Sequence, residues 1–565
     1  MERIKISNFR KIKGTWDLDL APITFFTGKN NSGKSSTLKA LMVLSDYSNS
    51  SNHFELGFLG DNASNHKIEN YSNGLNWTNN KKSNIAFEFE KNGHLFIIEF
   101  SPKPEIEQEY FQKGVLQSFV IINIENKTKI EIYREVGDAY QLNFNNQFLE
   151  KKYNLKRSNA QNKLIRVKRE IEKEIENTEL EIKKKLGLDL ALPVASTGLL
   201  ALLTITGPIG AAIALTTGLV SGYQLKKVDD KTKITLKSKL EKLQKDLKLI
   251  DKKLKKEKVE ARTLEKELIF SPTFDLAKLF ENNFSLNNIL RRVLIPYLND
   301  NVKKFGEIDV KDETLKLQDF NYELMDSFQF DVDHLSPHRC NQERLIVNEG
   351  SSVDISELAK KQVKKFIKGS DADLFIKDWM DKFDVGIDYE IISVQGYASI
   401  INVFEKGIKH PINISDKGFG AGQIFTILLQ IAKKIDEQKQ GINLKKNFYF
   451  PIGQETQIVI IEEPESNLHP ALQSLLTDLF LDAYSRFGIR FIVETHSEYM
   501  IRNSQLLNLE HQSDKLYRLY YFGEDGPYEM KYLDNGKFDR SFGEGFVDIA
   551  DNIEVEIYKN NLKRK

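Results

Sequence analysis

Residues 28–35 carry glycines, a lysine and a serine at a spacing that suits phosphate binding. The run fits the pattern GxxxxGK[ST] and lies between an apolar strand pattern and a helical pattern. Glycines allow backbone N–H groups to turn inward around phosphates, and the N-terminus of the next helix adds partial positive charge. Lys34 is then placed to reach the β- and γ-phosphates of ATP, and Ser35 to hold Mg²⁺. The predicted nucleotide-binding residues of this loop are Gly28, Lys29, Asn30, Asn31, Ser32, Gly33, Lys34, Ser35 and Ser36.

Two later apolar runs end in residues that complete this chemistry. Residues 458–461 lead into Glu462 and Glu463, and residues 490–493 lead towards His496. Buried parallel strands deliver their terminal side chains to the edge of the sheet where phosphates bind. We therefore expect Glu462 to order Mg²⁺ through water and Glu463 to polarise the attacking water as a catalytic residue. His496 is expected to contact the γ-phosphate and sense its loss.

Four blocks together resemble the ABC-type AAA ATPases of the SMC, RecF and OLD class. The blocks read NFRKIKG...ITFFTGKNNSGKSS, SDKGFGAGQ, IIEEPESNLHP and VETHSEYMIRN, and they occur in that order. The resemblance implies that residues 415–423 are a signature motif whose Gly420, Gly422 and Gln423 complete the ATP site of a second subunit. It implies ATP and Mg²⁺ as cofactors, a homodimer or higher oligomer as the active form, and His496 as the switch histidine.

The chain departs from the family pattern at named positions. Gly422 stands where serine is usual, and Glu462 stands where aspartate is commoner. The segment His334-Leu335-Ser336-Pro337-His338-Arg339 resembles one that several of these ATPases carry before the signature. For Arg339 two readings stay open: contact with phosphate or a partner subunit, or a surface ion pair.

The order of patterns predicts how these residues are positioned. Strands near the N-terminus precede the glycine loop, and alternating residues between 84 and 145 indicate an antiparallel sheet. Lysine-rich helical patterns at 156–186 and 226–268 flank residues 190–225, which contain no charged side chain. The predicted α/β fold is an ABC-type P-loop ATPase head with an antiparallel β lobe, interrupted by an antiparallel coiled-coil hairpin with an apolar tip. Its predicted parts are residues 1–150, the hairpin at 151–269 with its tip at 190–225, and residues 270–565.

Composition limits the classes of function. The chain has 565 residues, 81 Lys+Arg against 81 Asp+Glu and a single cysteine, Cys340. Zero net charge excludes a uniformly basic protein that coats nucleic acid. One cysteine excludes an internal disulfide, and it also excludes a zinc hook with two cysteines at the tip of the hairpin. The N-terminus lacks the apolar core of a signal peptide, so a cytoplasmic location is expected. No motif for a nuclease is visible after His496, and any nuclease or toxin activity is expected from a partner.

The role that this ATPase serves leaves several hypotheses open. The resemblance favours a sensor or motor subunit of anti-phage defence, and DNA repair or maintenance is the alternative. Residues 226–258 carry 14 lysines against six acidic residues, which suits double-stranded DNA or an acidic lipid surface as well as a solvated helix face. The uncharged tip suits packing against itself or a second copy, and also membrane contact, which would make the protein a membrane-acting effector.

Overall fold

The fold is a mixed α/β structure that divides into two compact units. The computed structural model describes residues 1–78, 83–103, 112–125, 129–135, 139–144, 147–186, 229–267, 273–275, 285–289, 292, 324–340, 343–347, 355, 358–359, 368–395, 397–445, 457–511, 515–543 and 549–563. Unit 1 comprises Met1–Glu125, Lys129–Asn143 and Pro272–Lys565, and unit 2 comprises Asn126–Thr128 and Phe144–Ser271.

The described strands and helices follow one another in a mixed order along the chain. The strands are β1 Arg3–Ser7, β2 Thr15–Asp19, β3 Ile23–Gly28, β4 Glu55–Leu56, β5 Ile85–Lys91, β6 His94–Pro102, β7 Gly114–Asn123, β8 Lys129–Arg134, β9 Ala139–Phe144, β10 Thr273–Asp275, β11 Asp331–Leu335, β12 Ile346–Val347, β13 Asp388–Val394, β14 Ala398–Phe404, β15 Ile412–Asn413, β16 Gln457–Glu462, β17 Arg490–Glu494, β18 Tyr517–Phe522 and β19 Pro527–Glu529. The helices are α1 Lys34–Ser48, α2 Ala63–His66, α3 Tyr71–Gly74, α4 Gln147–Leu186, α5 Asp230–Glu267, α6 Leu286–Ile289, α7 Asp371–Lys382, α8 Phe419–Lys445, α9 Pro470–Phe487, α10 Glu498–His511 and α11 Ile549–Lys563.

A six-stranded sheet forms the centre of unit 1. Its strand order is β11-β16-β17-β3-β18-β19, and the first five strands are parallel. Apolar residues occupy both faces because helices cover the sheet, and β3 is buried along its whole length. The core side chains Phe25, Phe425 and Phe491 lie in one cluster with those of α7 and α9. Five carboxyl ends therefore meet at one edge, where the predicted site residues follow β3, β16 and β17.

A second sheet confirms the antiparallel strands predicted between residues 84 and 145. Its order is β10-β9-β8-β7-β6-β5-β1-β2, with β4 paired to β7. Strand β5 alternates buried and half-buried residues along its length, as expected when one face packs on a core. Strands β2 and β10, which were not predicted, extend this sheet at its two ends. A smaller sheet, β12-β14-β13 with β15 beside β14, precedes α8.

Unit 2 contains two long helices that pack on each other. Helix α4 begins earlier than predicted and α5 spans almost the predicted run. The ion pairs Lys168–Asp251 at 2.9 Å and Glu174–Lys239 at 3.4 Å show that the helices run in opposite directions. Of the expected seam, Leu240 is fully buried. Residues 190–225 lie outside the described residues, so the hairpin and its apolar tip stay predictions.

None of the described helices combines the length and the apolar character that crossing a bilayer requires.

Candidate active site

The loop after β3 has the backbone shape that its glycines predict. Gly28 and Gly33 have φ values of 126° and 110°, and Asn31 also lies in the left-handed region. A Cβ at Gly28 would lie 2.4 Å from the carbonyl oxygen of Phe522, and one at Gly33 would lie 2.4 Å from the ring of Trp16. Glycine is therefore required at both positions by conformation and by space. Helix α1 begins immediately afterwards, at Lys34.

The Lys34 side chain lies inside this loop. Its ammonium donates to the carbonyl oxygens of Gly28 at 3.2 Å and Lys29 at 2.9 Å. It also lies 3.8 Å from the Glu494 carboxylate, and only 3% of the side chain is exposed. Burial lowers the pKa of Lys34, and the charges of Glu494 and Glu463 oppose that shift. The loop thus holds a cation where a phosphate-binding loop needs one.

Glu494, which the sequence analysis did not select, lies next to the predicted metal-binding serine. Ser35 Oγ donates to Glu494 Oε2 at 3.3 Å. In the sheet register Glu494 is paired with Phe26 of β3 on one side and with Glu462 of β16 on the other. Burial, followed by the charge of Glu462, raises the pKa of Glu494 to about 7. A signal was present in the sequence, because Glu494 ends an apolar strand just as Glu462 does.

Glu462 and Glu463 lie at the end of β16 as predicted, but their side chains have different partners. His334 Nε2, on the neighbouring strand β11, lies 2.7 Å from Glu462 Oε1. Glu463 has a left-handed backbone with φ of 45°, and its N–H donates to the Glu494 carbonyl at 2.7 Å. Its carboxylate accepts from Ser466 Oγ at 3.2 Å. Of these two acids, Glu462 is thus bound to a histidine that the sequence analysis gave no role.

His496 follows β17 and is exposed. Its backbone N–H donates to Glu465 Oε1 at 2.7 Å. Partial desolvation of the ring and the charge of Lys34 lower the pKa of His496, and the charge of Glu463 opposes them. Neutral imidazole can accept a hydrogen bond or donate one, which suits a group expected to contact phosphate.

The predicted signature residues lie at the start of α8. Gly420 packs so closely on the loop after Glu463 that a Cβ would lie 2.8 Å from the Asn467 carbonyl oxygen. A Cβ at Gly422 would lie 2.4 Å from Cys340 Sγ. The Gln423 side chain is fully buried, and its Oε1 accepts from Arg339 Nη1 at 2.5 Å. The expected contact of these residues with a second subunit's ATP stays a prediction.

Arg339 is fully buried, so the alternative of a surface ion pair is wrong. Its Nη2 donates to the carbonyl oxygen of Glu462, and to that of Glu463 at 3.1 Å. Its Nε donates to the Ser336 carbonyl oxygen at 3.1 Å. The guanidinium therefore lies between the signature helix and the acidic end of β16.

One further acidic group, elsewhere in the described residues, has oxygens close enough for a metal ion. It consists of Asp331, Asp333 and Glu437, whose ligand atoms lie within 4.8 Å of one another. Lys434 is fully buried among them, at 2.6 Å from Asp331 and 2.5 Å from Asp333. Lys434 contacts all three carboxylates, and Lys433 lies 2.8 Å from Asp333, so ammonium groups occupy the place that a metal ion would take and we assign no metal to this cluster.

The residues beside the loop have the donor chemistry that Mg²⁺ and ATP require. Ser35 Oγ and the Glu494 carboxylate are adjacent hard oxygen donors, and Glu462 lies on the next strand. Lys34 balances only part of the charge of Glu462, Glu463 and Glu494. A divalent cation fits this excess of negative charge.

Comparison with known proteins gives a family and, among solved structures, weak similarities that include Smc head domains. None of the curated proteins matches the chain. A solved Smc head domain with an extended coiled coil, bound to the C-terminal domain of ScpA and derived from Pyrococcus furiosus, is 12% identical. The alignment with this structure covers 98% of the present chain and 99% of the Smc chain, with a TM-score of 0.28. The SMC head domain from Thermotoga maritima is 9% identical, with coverages of 94% and 98% and a TM-score of 0.31.

The family assignment rests on a sequence profile and not on these structures. The profile described as AAA ATPase domain matches residues 1–192 and 216–501. These ranges hold the glycine loop, both acids of β16 and His496, and the match confirms the resemblance to AAA ATPases predicted from the motifs. The chain belongs to the AAA ATPase domain family.

Proposed function

We propose that the protein is a Mg²⁺-dependent ATP hydrolase whose active form is a head-to-head dimer. The observation that carries the proposal is the convergence of Lys34, Ser35, Glu494 and Glu463 at one edge of a parallel sheet. This edge is where α/β proteins bind nucleotides. The signature residues of one subunit are proposed to complete the site of the other, because a single head leaves the γ-phosphate open on its far side.

Each residue has a proposed role in hydrolysis. The loop and Lys34 bind the phosphates, and Glu463 accepts a proton from the attacking water while His496 orients the γ-phosphate. Mg²⁺, when bound, would neutralise charge that develops on the phosphate oxygens. Ser35 is its proposed protein ligand, with Glu462 acting through water.

Two substitutions test this function. Lys34→Ala should abolish ATP binding, measured with a fluorescent ATP analogue. Glu463→Gln should bind ATP, reduce phosphate release by roughly 10²-fold or more, and accumulate the dimer in light scattering. Glu170→Gln, at a surface glutamate of α4, is the matched control. Full turnover by Glu463→Gln would refute the assignment.

For the biological role we propose a sensor or motor subunit of anti-phage defence that works with a separate nuclease or toxin. The support is the resemblance in sequence to the ABC-type AAA ATPases of the SMC, RecF and OLD class. Cells carrying the gene and its neighbours should resist phage, and Glu463→Gln should remove that resistance. Equal resistance with Glu463→Gln would contradict the role, and sensitivity to DNA damage in cells without the gene would favour repair.

We further propose that unit 2 is the coiled-coil hairpin and that it offers a phosphate-binding surface. Helix α5 carries most of the 14 lysines of residues 226–258. Filter binding of double-stranded DNA across a salt series tests this, since counterion release predicts steep weakening with salt. No retention at low salt refutes DNA binding. Liposome flotation, with residues 190–225 replaced by a Gly-Ser turn as control, tests membrane contact by the tip.

A further inference from the structure

Arg339 connects two elements that are far apart in the sequence. It follows β11 and reaches Gln423 of α8 with one terminal nitrogen. With the other it reaches the carbonyl oxygens of Glu462 and Glu463 at the end of β16. A planar guanidinium presents its donors in a fixed fork, so these contacts fix the two elements relative to each other.

The element at one end of this connection determines where Glu463 lies. Glu463 has a left-handed backbone, which a residue with a side chain adopts only when its surroundings impose it. Arg339 binds its carbonyl oxygen, and the Glu494 carbonyl binds its N–H. The direction of the Glu463 carboxylate therefore depends on both contacts.

The element at the other end is the start of the signature helix. Cys340, next to Arg339 in the chain, packs on Gly422, and Arg339 itself binds the adjacent Gln423. These two contacts join the loop after β11 to the first turn of α8. A shift of that turn must therefore move Arg339 or break its bond to Gln423.

We propose that Arg339 is a positioning residue that links the state of the signature helix to the orientation of Glu463. This inference rests on the proposed function, in which the signature helix contacts the partner's ATP. Engagement of that ATP holds α8, and through Gln423 and Arg339 it holds the peptide between Glu462 and Glu463. Dimer formation is thereby coupled to hydrolysis.

Gln423→Leu is the direct test, because it removes the bond at the helix end and leaves the Glu463 carboxylate in place. We expect the affinity of a subunit for its own ATP to stay within about threefold of wild type, because the Gln423 side chain is fully buried against Arg339. We expect kcat to fall by roughly 10²-fold, the scale of general-base catalysis. Gln423→Glu keeps an acceptor for Arg339 and should recover at least tenfold of the lost kcat. Arg339→Lys, which cannot span both ends, should behave like Gln423→Leu.

The matched control is Gln430→Leu on the same helix. Gln430 is also buried, and its Nε2 donates to Asp333 at 2.7 Å, away from Arg339. This substitution should lower the melting temperature without lowering kcat. If Gln430→Leu and Gln423→Leu lower kcat equally, Arg339 has only a structural role and the proposal fails.

A double-mutant cycle separates positioning of Glu463 from an independent effect. Since Arg339 acts through Glu463, adding Gln423→Leu to Glu463→Gln should lower kcat no further. An additional 10²-fold loss would overturn the proposal. If Glu463→Gln turns over normally, the proposed function itself fails. If Glu463→Gln stalls and Gln423→Leu turns over normally, only the link through Arg339 is refuted.

Discussion

Restoring the usual serine at position 422 should destabilise this protein, and removing one neighbouring atom should reverse the effect. A Cβ at Gly422 would lie 2.4 Å from Cys340 Sγ, whereas ordinary contacts of this kind are 3.4–4 Å. The sulfur or the helix must therefore retreat by about 1 Å, and the serine hydroxyl needs further room. Overpacking of this size typically costs about 1–3 kcal/mol. We expect Gly422→Ser to lower the melting temperature by several degrees.

Cys340→Ala removes the sulfur that causes this collision. A Cβ at position 422 would lie 3.6 Å from the Cys340 Cβ, which is an ordinary van der Waals distance. The double variant therefore has room for the serine. Cys340→Ala alone should cost about 1 kcal/mol for the small cavity that it leaves. The loss of unfolding free energy in the double variant should therefore be smaller than the summed losses of the two single variants by about 1–3 kcal/mol.

Thermal melting of the four proteins measures this coupling, and ATP turnover of the same proteins shows whether serine can serve at this position. The departure from the family pattern then has a steric cause that lies in the neighbouring residue. If the effects of Gly422→Ser and Cys340→Ala simply add, the contact does not explain the glycine and the reasoning is refuted.

Three further outcomes are expected from the same geometry. Gly28→Ala should abolish ATP binding and lower the melting temperature, because its Cβ would lie 2.4 Å from a backbone oxygen. The control Gly93→Ala has a left-handed φ of 72° but open space, and should lower the free energy of unfolding by only about 1 kcal/mol. Equal losses of unfolding free energy in the two variants would contradict the steric argument. Mg²⁺ should raise ATP affinity about tenfold less in Glu494→Gln than in wild type, as measured by comparing affinities in Mg²⁺ and in EDTA. An unchanged effect of Mg²⁺ would show that Glu494 does not face the metal. Lys434→Met should cost about 1–3 kcal/mol at pH 7, because it removes a buried ammonium from half-buried Asp333, which keeps Lys433 at 2.8 Å, and from exposed Asp331. Burial opposes ionisation of Asp333, but Lys434 and Lys433 outweigh it and lower the pKa of this carboxyl in the folded protein. Wild type should therefore lose stability as the pH falls below about 4, and thermal melting should show a smaller loss over that range for Lys434→Met.

Motifs that are local in the sequence were predictable because their chemistry and their strand and helix context lie in the same short run. The glycine loop, the two acids of β16 and His496 belong to this class. The sequence analysis also placed the antiparallel strands between residues 84 and 145, whose alternation reflects one buried face.

Contacts between distant residues were not predictable in the same way. His334 and Glu462 are 128 residues apart, and Arg339 and Gln423 are 84 apart, so no spacing rule connects them. Burial of Arg339 could not be predicted from its type, because arginine is almost never fully buried unless its donors are satisfied. The carbonyl oxygens that satisfy it belong to the backbone, which no motif describes.

The position of β3 has a consequence for synthesis of the chain. Its neighbours in the sheet are β17 and β18, and Ser35 meets Glu494 across 459 residues. At about 5–20 residues per second, a ribosome adds Glu494 to the chain about 20–90 s after it adds Ser35. The nascent chain must therefore keep an apolar strand and its unfinished loop in a soluble state for that time. Early pairing of β1 with β2 and β5 can proceed meanwhile, since those strands emerge first.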